Sequence, residues 1–201
     1  MNYPKFFDTV EPIKLQDKLS GFLGSLENGV VEFTYLDIVK NAGHSCPTVA
    51  GAYLITMAGL KALYKDELPV RGEIFVSFKE TATEGVAGVI SNVVTQITGA
   101  TTTSGFKGIG GNFARHGLME FEADIDASVQ FKRLDTGAVV NVVYDPGDIP
   151  MHPRQQEIMQ RFMQGLATPE DKAEFSTMWQ QRVEAIFANI DKVITVNPRA
   201  T

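Results

Sequence analysis

The feature that most constrains the fold is a helical pattern that begins at Pro47 and should run to about Tyr64. Proline suits the first helical position, because its missing N–H group would have no partner there. Large apolar side chains recur every three or four residues, with small residues between them: Val49, Ala50, Tyr53, Leu54, Met57, Leu60 and Leu63, and Gly51, Ala52, Ala58 and Gly59. This pattern predicts a helix that packs closely on more than one side.

The neighbouring sequence predicts an alternation of helices and strands. Apolar residues at Ile74, Val76 and Phe78 have the period of two that is typical of a strand with one buried face. Gly99 is a natural end for a second apolar helix. The predicted elements are helices over 34–41, 47–64 and 83–98, and strands over 74–78, 118–123, 127–134 and 138–144, with a turn at 135–137.

The two ends of the chain have a different character. Residues 1–32 mix apolar side chains with prolines and glycines, which is typical of an arm or lid rather than a core element. The composition changes again near residue 150, and Thr168-Pro169-Glu170-Asp171 is a strong start signal for the second of two helices. We therefore predict an arm over 1–32, an α+β domain over 33–150 and a helical extension over 151–201, which packs on the core or at a dimer interface; substrate gating is the alternative.

Charge and cysteine content exclude several classes of protein. The chain has a formal net charge of -6 and no basic stripe, so we expect no nucleic-acid partner. Its apolar stretches reach only about ten residues, against roughly 20 for a membrane span, so we expect no membrane partner. No export signal is evident, and the single cysteine cannot form an internal disulfide. A cytoplasmic location is expected.

The strongest chemical signal is His44-Ser45-Cys46-Pro47, which places an imidazole and the only thiol two residues apart at the start of a helix. The free N–H groups and the dipole at a helix N-terminus favour a thiolate, the form that binds metals. Imidazole and thiolate together suit zinc first, and nickel, iron or copper less well. The alternative is that Cys46 is a small buried apolar residue.

Four further residues are candidates for the same site. Glu84 would supply a carboxylate ligand, or it would only compensate a helix dipole. His116, which follows the glycine-rich loop over 99–112 and comes just before a predicted strand, would reach the metal from that side, or it would be exposed. Lys107 and Arg115 would bind a small anionic ligand beside the metal, although the loop matches no phosphate-binding motif and a purely structural turn is the alternative.

The same segments resemble the FmdE-like family of formylmethanofuran dehydrogenase proteins over roughly residues 33–144. That family begins with His-Gly-His-x-Cys-Pro before a helix rich in small residues, and this chain reads Ala42-Gly43-His44-Ser45-Cys46-Pro47. The second His, the Cys and the Pro therefore match, and Ala42 replaces the first His. The segment 131–137 is also similar to the family's closing hairpin.

Two other blocks of the family are present in altered form. Where the family has Glu, then Cys, then Asp, this chain has Glu80, Glu84 and Ala87. Where it has Gly-Cys-Thr followed by Gly-Lys-Gly-Asn, this chain has Ala100 in place of the cysteine and a longer loop over 105–112. An oxygen of Glu84 in place of sulfur keeps the negative charge but hardens the site, so its metal preference should differ from that of the family.

The resemblance implies an α+β fold, in which helix, strand, helix and three strands build a mixed sheet with helices on one face. It also implies a homodimer and a transition-metal site, first of all zinc, at His44 and Cys46. The function expected first is metal binding in an accessory or metal-handling role.

Two other functions stay open. The first is a metal-dependent enzyme that acts on a small anionic or carbonyl substrate. The second is a haem protein that uses Cys46-Pro47 and a nearby histidine, with thirteen Phe and seven Met available to line an apolar slot.

Overall fold

The computed structural model describes residues 1–199 as an α+β protein with seven strands and seven α-helices within that range. In chain order they are β1 (Ile13–Gln16), α1 (Lys18–Leu23), β2 (Val30–Phe33), α2 (Tyr35–Ala42), α3 (Pro47–Tyr64), β3 (Ile74–Phe78), α4 (Ala87–Thr98), β4 (Met119–Glu120), β5 (Val129–Arg133), β6 (Val139–Tyr144), α5 (Pro153–Met163), α6 (Pro169–Ala188), α7 (Ile190–Val193) and β7 (Ile194–Arg199). The α+β class expected from the sequence is confirmed.

The main sheet has five strands in the order β4-β3-β5-β6-β7. The β3–β4 pair is parallel and the other three pairs are antiparallel, so the sheet is mixed, as the family resemblance implied. Helix α3 packs across β5, β6 and β7, and α2, α4 and α6 pack on α3. On the opposite face of the sheet, Gln130 Nε2 donates to Asn141 Oδ1 across β5 and β6 at 2.8 Å.

Helix α3 is the centre of the core, and its glycines explain how close the packing is. A Cβ atom at Gly51 would overlap the ring of Tyr144 on β6, and one at Gly59 would overlap the ring of Phe131 on β5. Other faces of the helix bury Tyr53 and Leu54 completely. The prediction of a helix packed on more than one side is confirmed, since the two glycines let the sheet approach the helix backbone.

Two predicted boundaries were wrong, and backbone conformation explains both. Helix α4 begins at Ala87 rather than at residue 83, because residues 81–86 form a turn in which Gly85 has φ +52°. Strand β4 keeps only Met119 and Glu120 of the predicted 118–123, and Glu122 adopts φ +60°, which a strand cannot continue through.

The N-terminal residues are part of the core, which corrects the expectation that they form no core element. Strands β1 and β2 pair antiparallel, and Leu15 is fully buried. Phe6 and Phe7 of a short 3-10 helix over Lys5–Thr9 are buried in the same apolar cluster. Apolar side chains in this segment therefore find partners that the local pattern did not reveal.

The C-terminal part is helical, but it ends in a strand that the sequence did not predict. Helix α6 begins at Pro169 as expected, with a capping box in which Asp171 N–H donates to Thr168 Oγ1 at 3.2 Å. After α7, β7 adds an edge to the main sheet beside β6. Within residues 1–199, no helix combines the length and the apolar character needed to span a membrane.

Candidate functional site

Cys46 is the N-cap residue of α3. The preceding helix, α2, ends at Gly43 with φ +76°, so a turn of only a few residues separates the two helices. Cys46 is extended and half-buried, and its Sγ accepts a hydrogen bond from Val49 N–H at an N···S distance of 3.4 Å. The thiol group thus lies where the free N–H groups of an 18-residue helix converge.

His44 is exposed, and its ring is oriented by the backbone. Its Nδ1 lies 3.0 Å from the carbonyl oxygen of Ala42. A carbonyl oxygen can only accept, so Nδ1 donates in this contact, and Nε2 is the ring nitrogen that is left for another partner. Backbone carbonyls often fix metal-binding histidines in this way.

Ser45, between the two donors, is held from three sides. Its Oγ lies 2.9 Å from the hydroxyl of Tyr35, and its carbonyl oxygen accepts from Trp179 Nε1 at 3.0 Å and Gln180 Nε2 at 3.2 Å. Sequence reasoning missed these three partners. Trp179 was visible only as part of the apolar stripe of α6, and a contact over 134 residues leaves no local signal.

A second tyrosine, Tyr144, completes the surroundings of the turn. Its hydroxyl donates to the carbonyl oxygen of Pro47 at 2.7 Å. Burial raises the pKa of Tyr144, and it raises the pKa of Tyr35 in the same way, well above the ordinary value for tyrosine. Both hydroxyls therefore keep their protons at neutral pH and act as hydrogen-bonding groups rather than as anions.

The other predicted ligands lie on exposed parts of the surface. Glu84 is in the turn before α4, where its carboxylate is 3.4 Å from Thr81 N, so it precedes the helix in whose first turn it was expected to lie. His116 is exposed, and so is Lys107 in the glycine-rich loop. Within residues 1–199, no three His, Cys, Asp or Glu side chains gather as the ligands of a metal ion would.

Arg115 lies in a different environment, since it is buried in an ion pair. Its Nη2 donates to Asp17 Oδ1 at 2.8 Å, and Arg71 Nη1 binds the other oxygen of Asp17 at 2.9 Å. Burial lowers the pKa of Arg115, although the charge of Asp17 opposes that effect. The structure thus places the charge of Arg115 against an internal carboxylate.

Fold and site together define a class: an α+β protein with a mixed five-stranded sheet, whose central helix begins at a His-x-Cys-Pro turn. A family model described as FmdE, molybdenum formylmethanofuran dehydrogenase operon, matches residues 42–195, and the chain belongs to this family. The match extends past β6 to include α5, α6 and α7, whereas the motifs in the sequence had indicated similarity only to about residue 144. No curated protein matches the chain.

Proposed function

We propose that this protein binds a divalent transition-metal ion, zinc in the first place, through His44 Nε2 and Cys46 Sγ. The observation that carries the proposal is how the structure holds these two ligand side chains. The imidazole has its Nδ1 bound to a backbone carbonyl and its Nε2 free, and the sulfur lies at the N-terminus of a buried helix. An imidazole nitrogen and a sulfur two residues apart in the chain form a donor set that suits zinc.

The donors fit an open site rather than a closed one. Structural zinc sites use four protein ligands, whereas residues 1–199 hold no group of three or more His, Cys, Asp or Glu side chains arranged so that they could bind a metal ion. Two protein donors would leave coordination positions for external ligands, which suits reversible binding and hence a metal-handling role. When bound, the ion would supply Lewis acidity to whatever occupies those positions.

Electrostatics around the turn favour a cation that is held weakly. The hydroxyls of Tyr35 and Tyr144 stay protonated, so neither adds a negative charge. Cys46 is the one residue among those of the turn, 43–47, that could contribute an anion. A site with one sulfur and one neutral imidazole would bind metal more weakly than the thiol-rich set of the family pattern, in which Glu84 and Ala100 would be cysteines.

The test is elemental analysis of the full chain purified without a His tag, followed by titration with Co²⁺. We expect one bound metal ion per chain and a sulfur-to-cobalt charge-transfer band, both of which are lost in His44→Ala and in Cys46→Ser. Glu84→Gln and His116→Ala test the remaining candidate ligands. If either variant bound less metal or had an altered cobalt band, that residue would belong to the ligand set. A wild-type protein without bound metal and without the band would remove the proposal.

A haemin titration in parallel examines the competing use of the same cysteine. Metal binding predicts no Soret shift that depends on Cys46. A shift that Cys46→Ser abolishes would favour haem binding through the Cys-Pro pair instead.

A further inference from the structure

We infer that Trp179 and Gln180 of α6 are positioning residues for the two proposed metal ligands, His44 and Cys46, since they fix the peptide group that links Ser45 to Cys46. This inference deepens the proposed function, and it rests on that function where metal affinity is concerned. It gives the C-terminal helices a role at the site, which lies 134 residues earlier in the chain.

Both side chains donate to the same atom. Trp179 Nε1 and Gln180 Nε2 lie 3.0 and 3.2 Å from Ser45 O. A carbonyl oxygen has two lone pairs, so the two donors together satisfy it and define its direction. Because the carbonyl is part of a planar peptide group, fixing the oxygen also fixes the N–H group of Cys46 and the direction in which the chain leaves Ser45.

The neighbouring peptide groups are anchored as well. Tyr144 holds the carbonyl of Pro47, and Tyr35 binds the side chain of Ser45. The carbonyls on both sides of Cys46 are therefore tied to distant elements, β6 and α6. The chain around the sulfur atom is held, whereas the imidazole of His44 faces solvent.

The amide of Gln180 has its orientation set by this contact. Its Oε1 is buried and has no hydrogen-bond partner among the described residues. The hydrogen bond from Nε2 to Ser45 O is therefore the contact that orients this side chain. The reverse orientation of the amide would place two acceptors against each other. Leaving the buried Oε1 atom without a partner costs free energy, and the hydrogen bond from Nε2 to Ser45 O offsets part of that cost.

Helix α6 holds the side chains of Trp179 and Gln180 in place through its packing on the core. Val183 and Ile186 are fully buried, and the helix packs on α3. The indole of Trp179 is stacked on Phe175, with ring centroids 5.4 Å apart. The donors are thus carried by a rigid helix rather than by a loop, which is the arrangement that keeps a binding site in one conformation.

The chain supplies its own probe, because Cys46 is its single cysteine. The first measurement is the rate at which iodoacetamide alkylates Cys46 in the metal-free full chain, for wild type, Trp179→Phe and Gln180→Ala. Gln181→Ala is the matched control, since Gln181 is the exposed neighbour on the same helix. We expect the rate to rise about fivefold in the two variants, the factor that one neutral hydrogen bond corresponds to, and to stay unchanged in the control.

A melting curve for each variant separates positioning from general stability. If Trp179 contributed only to the packing of α6, Trp179→Phe would lower the melting temperature but would not change the alkylation rate of Cys46 below that temperature. Alkylation rates equal to that of wild type in both Trp179→Phe and Gln180→Ala would overturn the inference.

The second measurement is Co²⁺ affinity, followed by the charge-transfer band. We expect about tenfold weaker binding in Trp179→Phe and Gln180→Ala, as is typical for residues that orient metal ligands, and wild-type affinity in Gln181→Ala. If wild type gives no band, the proposed function fails while the alkylation rates still decide the positioning role. If wild type binds Co²⁺ and the alkylation rates do not change, the positioning role fails while the proposed function stands.

Discussion

Two polar regions of this molecule differ in where their polar groups are directed. In the cluster of Asp17, Arg71 and Arg115, the charges bind one another inside the protein. In the turn of His44 and Cys46, hydrogen bonds hold the backbone, while the imidazole is exposed and the sulfur is half-buried. In the first region the charged groups are already paired with one another, so they act structurally. In the second, the imidazole and the sulfur remain available to bind a ligand. The residue types alone do not reveal this difference.

The charge cluster joins three parts of the chain that are far apart in sequence. Asp17 caps α1 by accepting from Ser20 N–H, and Arg71 also donates to the carbonyls of Gln96 and Ile97 at the end of α4. Cations stabilise a helix C-terminus in this way. The guanidinium of Arg115 lies against Gly72, where a Cβ atom would overlap it. The cluster therefore acts as a tie between the N-terminal segment and the helical layer.

The largest expected effect comes from breaking this tie. Arg115→Ala leaves Asp17 buried with one cation instead of two, and we expect it to destabilise the protein by about 3 kcal/mol, as is typical when one partner of a buried ion pair is removed. Urea unfolding measures the change. Co²⁺ binding should persist in the folded variant, and its loss would show that the two regions are not independent.

A somewhat smaller effect is expected from the contact between α3 and the sheet. In Gly51→Ala, the added methyl group overlaps the Tyr144 ring, and we expect a net loss of about 2 kcal/mol, since overpacking outweighs the gain in helix propensity. In a Tyr144→Leu background the same substitution should become neutral or stabilising. A double-mutant cycle tests this, and a full loss in both backgrounds would contradict the steric explanation.

The pH dependence of stability should reflect Asp17. Burial alone would raise its pKa, but the hydrogen bonds from Ser20 and Arg71 and the charge of Arg115 outweigh this, and the pKa lies below its ordinary value. Because the folded pKa is the lower one, the contribution is fully present above the unfolded value of about 3.9 and is lost as the pH falls through the folded value.

Comparison of Asp17→Asn with wild type checks the sign. The variant should be less stable at neutral pH, and the difference should shrink as the solution is acidified below about pH 4. A difference that stays constant over this range would assign the pH dependence to other carboxylates.

Cys46→Ser should have the smallest effect on stability among these variants and the largest effect on metal binding. A serine hydroxyl caps a helix well, so we expect a change of no more than about 0.5 kcal/mol in unfolding free energy together with loss of the cobalt band. Arg115→Ala and Cys46→Ser thus form a reciprocal pair, in which one removes stability and the other removes binding. A large loss of stability in Cys46→Ser would instead support a structural role for the thiol.

Several features of the fold were predictable from short stretches of sequence. Pro47 and Thr168-Pro169 marked the starts of α3 and α6, and the alternation of Ile74, Val76 and Phe78 marked β3. These signals are reliable because capping and side-chain periodicity depend on residues within one or two turns of each other. The His-x-Cys-Pro turn was recognisable for the same reason.

What the sequence by itself determined is therefore most of the central elements, among them α3, β3, β5 and β6, and the placement of an imidazole and a thiol two residues apart at the start of the central helix. Tertiary structure alone decided that β7 completes the sheet, that Asp17 neutralises Arg115 across 98 residues, and that α6 holds Ser45. The physical reason is that burial, charge pairing and hydrogen bonding between distant segments depend on which surfaces meet, and no short sequence pattern contains that information.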